Sequence, residues 1–163
     1  MEKKSEIIGE RYVLNKKLGD GGMSSVYLAW DIKLEKYWAI KSTEEKNIIS
    51  SMSESEVLKN LDHPSLPRIV DVINEDEKIY LVMDYVDGET LGEILRKRGN
   101  IDEESVRSWC VDILKGLDYL HRQNPPIIYR DMNPDTVMLS KEGNIKIIDF
   151  GIARVKKEEN IIC

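Results

Sequence analysis

Cysteine and histidine occur only twice each in these 163 residues, and the 24 lysines and arginines are outnumbered by 30 aspartates and glutamates. Each scarcity excludes something. A net charge of -6 argues against a general nucleic-acid binder, which carries a basic face. Cys110 and Cys163 have no Cys-x-x-Cys or Cys/His ligand spacing, so they read as one buried and one terminal free thiol in a reducing cytosol. No apolar run approaches the ~20 residues of a membrane-spanning helix. The N-terminal "MEKKSEIIGERY" lacks the apolar core of a signal peptide, so a cytoplasmic location is expected. Repeats and low-complexity tracts are also missing. The chain is 41% hydrophobic and 33% charged, which suits a folded core. Its length fits one domain, or a small lobe with part of another.

Three early runs are rich in aromatic and β-branched residues: "YVLNKKL" (12–18), "SSVYLAW" (24–30) and "YWAIK" (37–41). They read as three antiparallel strands, with a glycine cluster between the first two. Residues 46–61 switch to helical spacing, with Ile49, Met52, Val57, Leu58 and Leu61 on one stripe. Proline in "DHPSLP" stops that helix. "RIVDVI" and "KIYLVMDYV" then form a hairpin about the acidic turn "NEDE". Residues 1–86 are therefore expected to hold a five-stranded antiparallel sheet with one helix. Beyond them the character changes. "TLGEILRKR" predicts a short helix closed by Gly99. Asp102 caps a longer helix to about His121, with Val106, Trp109, Cys110, Ile113, Leu114, Leu117 and Leu120 at core spacing. After "NPP" come short strand pairs, "IIY", "VML" and "IKIIDF", with a turn at "KEGN" and a frayed tail "KKEENIIC".

Several motifs gain meaning from their order. Gly19, Gly21 and Gly22 sit at a hairpin tip, because a strand and not a helix follows them. Such a tip is an ordinary turn, or a loop whose backbone N–H groups cover a phosphate without side-chain clash. Lys41 lies fifteen residues after Val26. It is either a snorkelling surface lysine or a phosphate ligand held by an acidic residue of the next helix. That helix offers Glu54 and Glu56, which cannot both face the same way. "YRDMNPDTVML" precedes an Asp-Phe-Gly by eighteen residues, counted from Asp131 to Asp149. Asp149 would hold a magnesium ion and Asp131 would orient or deprotonate an attacking hydroxyl.

In that order the chain resembles the eukaryotic-like serine/threonine protein kinases, especially their bacterial branch. "GDGGMSSVYLAWD" is similar to the glycine-rich loop, "WAIK" to V-A-I-K, "YRDMNPDT" to H-R-D-L-K-P-x-N, and "DFG" is present unchanged. The resemblance covers roughly residues 10–155. It implies an α+β kinase-like fold, with a small lobe and hinge over 1–86 and a partial, mainly helical large lobe over 87–163. Counting back from "HP" in "LKNLDHPSLPRIVDV", it selects Glu54 as the partner of Lys41. In "YLVMDYVDG" it makes Met83 the gatekeeper, gives the Asp84 carbonyl to the adenine amine and gives Val86 backbone groups to the ring. Leu18, Val26, Ala39 and Met138 would sandwich the adenine, Ile148 would line the pocket, and Glu89 would reach the ribose. Leu58, Ile69, Tyr129 and Phe150 would form the regulatory spine, and His63 and His121 are structural. The implied ligands are ATP and Mg2+, and the implied partner is a protein substrate.

Three departures bear on activity. Ser24 stands where the family has its third loop glycine. Asn133 replaces the loop lysine that stabilises the transferring phosphoryl group, and Thr136 replaces the asparagine that holds the second metal ion. The family's activation segment, A-P-E motif and later helices have no counterpart after "DFGIAR". The apolar face of the 102–121 helix is therefore expected to be partly uncovered and prone to self-association. Two functions remain open: an impaired ATP-dependent serine/threonine kinase, or a nucleotide-binding pseudokinase that serves as an interaction module.

Overall fold

Runs rich in aromatic and β-branched residues in the first half of the chain build one antiparallel sheet. The computed structural model describes residues 6–20, 24–43, 58–148 and 154–155. They divide into two units: Met1–Asp62 with Pro67–Val86, and His63–Leu66 with Asp87–Cys163. In the first unit the strands are β1 (Ile7–Ile8), β2 (Tyr12–Asp20), β3 (Ser24–Asp31), β4 (Lys36–Thr43), β5 (Ile69–Glu75) and β6 (Lys78–Asp84). Their order is β1-β2-β3-β4-β6-β5, so the sheet has six strands where five were expected. The extra strand is two residues long, too short to show any alternation. It turns into β2 through Gly9 and Glu10, both at positive φ, with the Arg11 N–H donating to Ile8 O at 3.1 Å. Asp76 and Glu77, also at positive φ, make the tight β5–β6 turn expected at "NEDE".

Ile8, Tyr12, Ala29, Trp38, Ile40, Tyr80 and Val82 form a buried apolar cluster on this sheet. The turn from β3 to β4 is built on Asp31, whose side chain is fully buried. Its carboxylate accepts from Arg11 Nε (2.9 Å) and Nη2 (2.7 Å), from the N–H groups of Lys33 (2.9 Å) and Leu34 (3.1 Å), and from Trp38 Nε1 (3.1 Å). Of the expected 46–61 helix, only Leu58 and Lys59 are described as helical, and Leu58 and Leu61 are buried. Ile49, Met52 and Val57 lie outside the described residues.

The second unit holds β7 (Gly88–Thr90), α1 (Leu91–Arg98), α2 (Glu103–His121), β8 (Ile127–Ile128), a 3-10 turn (Pro134–Thr136), β9 (Val137–Ser140), β10 (Ile145–Ile147) and β11 (Arg154–Val155). Helix α1 begins at a capping box: the Glu93 N–H donates to Thr90 Oγ1 at 3.1 Å, and the Thr90 N–H donates to Glu93 Oε2 at 2.8 Å. It ends at Gly99, as expected, with φ of 73°. Asp102 caps α2 by accepting from the Ser105 N–H at 2.8 Å. Strand β7 was not foreseen. It joins a sheet ordered β10-β9-β7, and a Cβ on Gly88 would lie 2.1 Å from the Leu139 carbonyl oxygen, so a glycine lets these strands meet.

Two expectations for α2 are corrected. Cys110 is an exposed free thiol, not a buried one. Of the seven residues given core spacing, only Leu120 is buried; Trp109, Ile113 and Leu117 are half-buried, and Val106, Cys110 and Leu114 are exposed. The spacing identifies an apolar stripe two rows wide, and among the described residues one row is covered. The covered row meets β10 near Gly116, whose added Cβ would lie 2.9 Å from Ile147 Cδ1.

Candidate active site

Register decides which side chains the first unit presents together. Val26 pairs with Lys41, Leu28 with Ala39, and Ala39 with Met83. Directly opposed residues share a face, and so do residues two apart. Val26, Ala39, Lys41 and Met83 therefore line one face, opposite to that of Trp38, Ile40 and Val82. Gly19 is the partner of Val26, while Leu18 falls at the irregularity between Lys17 and Gly19 and is exposed. Lys41 is only 4% exposed, a setting in which an ammonium group requires a compensating partner. Glu54, which the resemblance selects for that role over Glu56, lies outside the described residues, as do Glu56, Gly21 and Gly22.

Asp84 is the last residue of β6, and 85–87 have no regular structure. Four hydrogen bonds join it to Arg68. The Asp84 N–H donates to Arg68 O (3.0 Å), and the Asp84 carboxylate accepts from the Arg68 N–H (3.1 Å), Nε (2.9 Å) and Nη2 (3.3 Å). Burial works to raise the Asp84 carboxyl, but the bonds from Arg68 outweigh it and hold the group below the usual aspartate value.

In the second unit, β7 pairs with β9 so that Glu89 opposes Leu139 and Thr90 opposes Met138. The Glu89 carboxylate is already engaged by Lys97 Nζ, and that bond lowers its pKa. Asp131 is exposed. Among the described residues one side chain donates to its carboxylate, Asn133 through Nδ2 at 3.2 Å to Oδ1. Asn133 also caps the 3-10 turn, its Oδ1 accepting from the Asp135 N–H at 2.9 Å. Thr136 is buried. Its Oγ1 accepts from the Asn133 N–H (3.1 Å) and directs its one proton to Asp131 O or Asn133 O, both at 3.0 Å. The Ile148 N–H donates to Thr136 O at 2.9 Å, and the Tyr129 hydroxyl donates to Ile148 O. The loop bearing Asp131 is thus tied from both sides to the residue preceding Asp149. Asp149 and Phe150 themselves lie outside the described residues.

The sequence matches the protein kinase domain over residues 12–161. This chain belongs to the protein kinase family. Among curated proteins it is 34% identical over 155 residues to the "Probable serine/threonine-protein kinase CPE1738" of Clostridium perfringens, covering 91% of this chain and 22% of that protein. It is 34% identical to mouse sperm motility kinase 2B (94% of this chain, 32% of that one). It is 33% identical to human 3-phosphoinositide-dependent protein kinase 1 (93% and 28%). The chain therefore spans about a fifth to a third of the length of these relatives. The α+β kinase-like architecture expected from the resemblance is the one observed.

The family's usual nucleotide and cation are ATP and Mg2+. Thr136 Oγ1, the oxygen expected at the second cation, is buried, accepts the Asn133 N–H with one of its two lone pairs and gives its proton to its own loop. No group of three or more His, Cys, Asp or Glu side chains among the described residues could hold a metal. No helix among them is long and apolar enough to cross a membrane. His63 behaves structurally, its Nδ1 accepting from the Ser65 N–H at 3.1 Å, and His121 is exposed at the end of α2. Leu58, Ile69 and Tyr129 are buried. Arg68 belongs to no functional motif, and its partner is set by the register of the folded β5–β6 hairpin.

Proposed function

We propose that this chain is the ATP-binding part of a serine/threonine protein kinase whose catalytic loop is impaired. Residues of the first unit supply the nucleotide contacts. Gly19, Gly21 and Gly22 cover the phosphates, Lys41 held by Glu54 pairs with phosphate oxygens, and Asp84 and Val86 offer backbone groups to adenine. Leu18, Val26 and Ala39 pack against the ring. Asp131 orients a protein hydroxyl and takes its proton as oxygen attacks the γ-phosphorus and ADP leaves. Mg2+ at Asp149 would neutralise charge on the phosphates.

The observation that carries the impairment is the inward commitment of Asn133 and Thr136. Asn133 spends its side chain on a cap and on Asp131, and brings no positive charge. Thr136 spends its hydroxyl within the loop, which supports a single-cation reading. The loss of one preorganised contact in a transition state costs about 10²–10³ in rate. Nucleotide affinity rests on other residues and survives. A second reading, a nucleotide-binding pseudokinase that presents a surface to a partner, is favoured by the exposed row Val106, Cys110 and Leu114. Self-association through that row belongs with this second reading.

A thermal-shift titration of the 163-residue chain with ATP and Mg2+ tests nucleotide binding. The melting temperature is expected to rise with ligand. Absence of any shift at millimolar ATP overturns the proposal.

A further inference from the structure

We infer that Arg68 is a positioning residue for adenine recognition, acting through Asp84. The inference rests on the nucleotide reading above and goes beyond it by naming what makes that contact selective. Asp84 is the last residue that the sheet holds before the chain leaves it at 85–87. On one side its Cα partner is Trp38 of β4. On the other side the ladder slips: Asp71 pairs with Val82 but Ile69 with Met83, leaving Val70 as an extra residue. That bulge carries Arg68 opposite Asp84, where an unbroken register would have set it opposite Tyr85.

Arg68 then does what regular pairing no longer does. Its carbonyl takes the Asp84 N–H, and three of its N–H donors close on the Asp84 carboxylate. The main chain on the amide side of Asp84 and its χ1 are both held by one residue. With the Asp84 N–H and carboxylate both anchored, the Cα is held in place and rotation about ψ is the one torsion left to turn the Asp84 carbonyl, so that binding loses less conformational freedom. A carbonyl acceptor restricted in this way distinguishes an amine donor from an oxygen acceptor, because only the amine completes the hydrogen bond. The chemistry selected is a 6-amino purine over a 6-oxo purine.

Arginine suits this task better than lysine. Its planar fork spans both carboxylate oxygens while its own backbone N–H adds a third donor. As an isolated exposed ion pair, Arg68–Asp84 would contribute little to folding, since the Arg68 side chain is 62% exposed. Its value lies in orientation.

The test is nucleotide binding by the 163-residue chain, followed by tryptophan fluorescence and calorimetry, with ATP and inosine triphosphate as the two probes. The wild-type chain is expected to prefer ATP. Arg68→Ala is expected to lower the ATP-to-inosine-triphosphate affinity ratio by about three- to tenfold, mostly through weaker ATP binding. Arg68→Lys should lie between the two, and it serves as the working comparison should Arg68→Ala fail to fold. A loss shared equally by both nucleotides, or no loss, overturns the positioning role while leaving the nucleotide reading intact. A wild-type chain that binds neither probe overturns both.

Discussion

Asp31 and Asp131 show how differently one side chain is treated in the two units. Asp31 is fully buried, and five N–H donors converge on its two oxygens. Asp131 is exposed, and among the described residues a single amide reaches its carboxylate. A carboxylate whose lone pairs are consumed holds a turn together. One whose lone pairs face outward is available to a substrate proton. The same sorting separates the two partners of Asp131: Thr136 is locked inward, and Asn133 divides its amide between cap and carboxylate.

The largest way to break this comparison is to delete each carboxylate. Asp31→Ala is expected to cost about 3–5 kcal/mol in urea denaturation, because it strands Arg11 and several buried donors. Asp131→Ala should stay within about 0.5 kcal/mol of wild type while abolishing phosphotransfer. Equal destabilisation by the two would refute the division of roles. Next in size is repair of the open site. Asn133→Lys with Thr136→Asn, introduced where this sequence is carried within a complete kinase domain, should raise phosphotransfer by about 10²–10³. An unchanged rate would mean that those positions are not the limiting defect.

Acid sharpens the contrast further. Burial opposes ionisation of Asp31, but Arg11 and the turn N–H groups outweigh it and hold the carboxyl well below its usual 3.8. The ionised group therefore favours the folded state. That contribution is complete above the ordinary aspartate value and is lost as pH falls below about 4 toward the folded-state pKa. Melting temperature followed from pH 6 to 3 should fall for the wild-type chain and fall less for Asp31→Asn. Thr136→Val, which leaves the Asn133 N–H without its acceptor, should cost about 1–3 kcal/mol. Trp38→Phe removes one donor of five from Asp31 and should cost about 1 kcal/mol.

Much of this was legible in the residues. Aromatic and β-branched runs, helical spacing and cap residues were enough to anticipate the β2–β4 strands, the β5–β6 hairpin, both helices of the second unit, the stop at Gly99 and the cap at Asp102. Each depends on neighbours within a few positions. Gly88–Thr90 was missed because Gly-Glu-Thr contains no apolar run, and Ile7–Ile8 because its two residues stand apart from the longer run that begins at Tyr12. Cys110 was misjudged because helical spacing marks an apolar stripe without saying how much of it is covered.

Asn133 and Thr136 stand out in the sequence as departures, yet their residue types say only that a charge and a metal ligand have been exchanged. That both side chains turn into the loop follows from hydrogen bonds made when the 3-10 turn closes against Asp131 and Ile148. Arg68 and Asp84 mark the same boundary. Local pattern specifies two strands and a tight turn, because propensity and alternation act over a few residues. One extra residue at Val70 shifts the partner across the strand, and only the folded hairpin selects Asp84 over Tyr85.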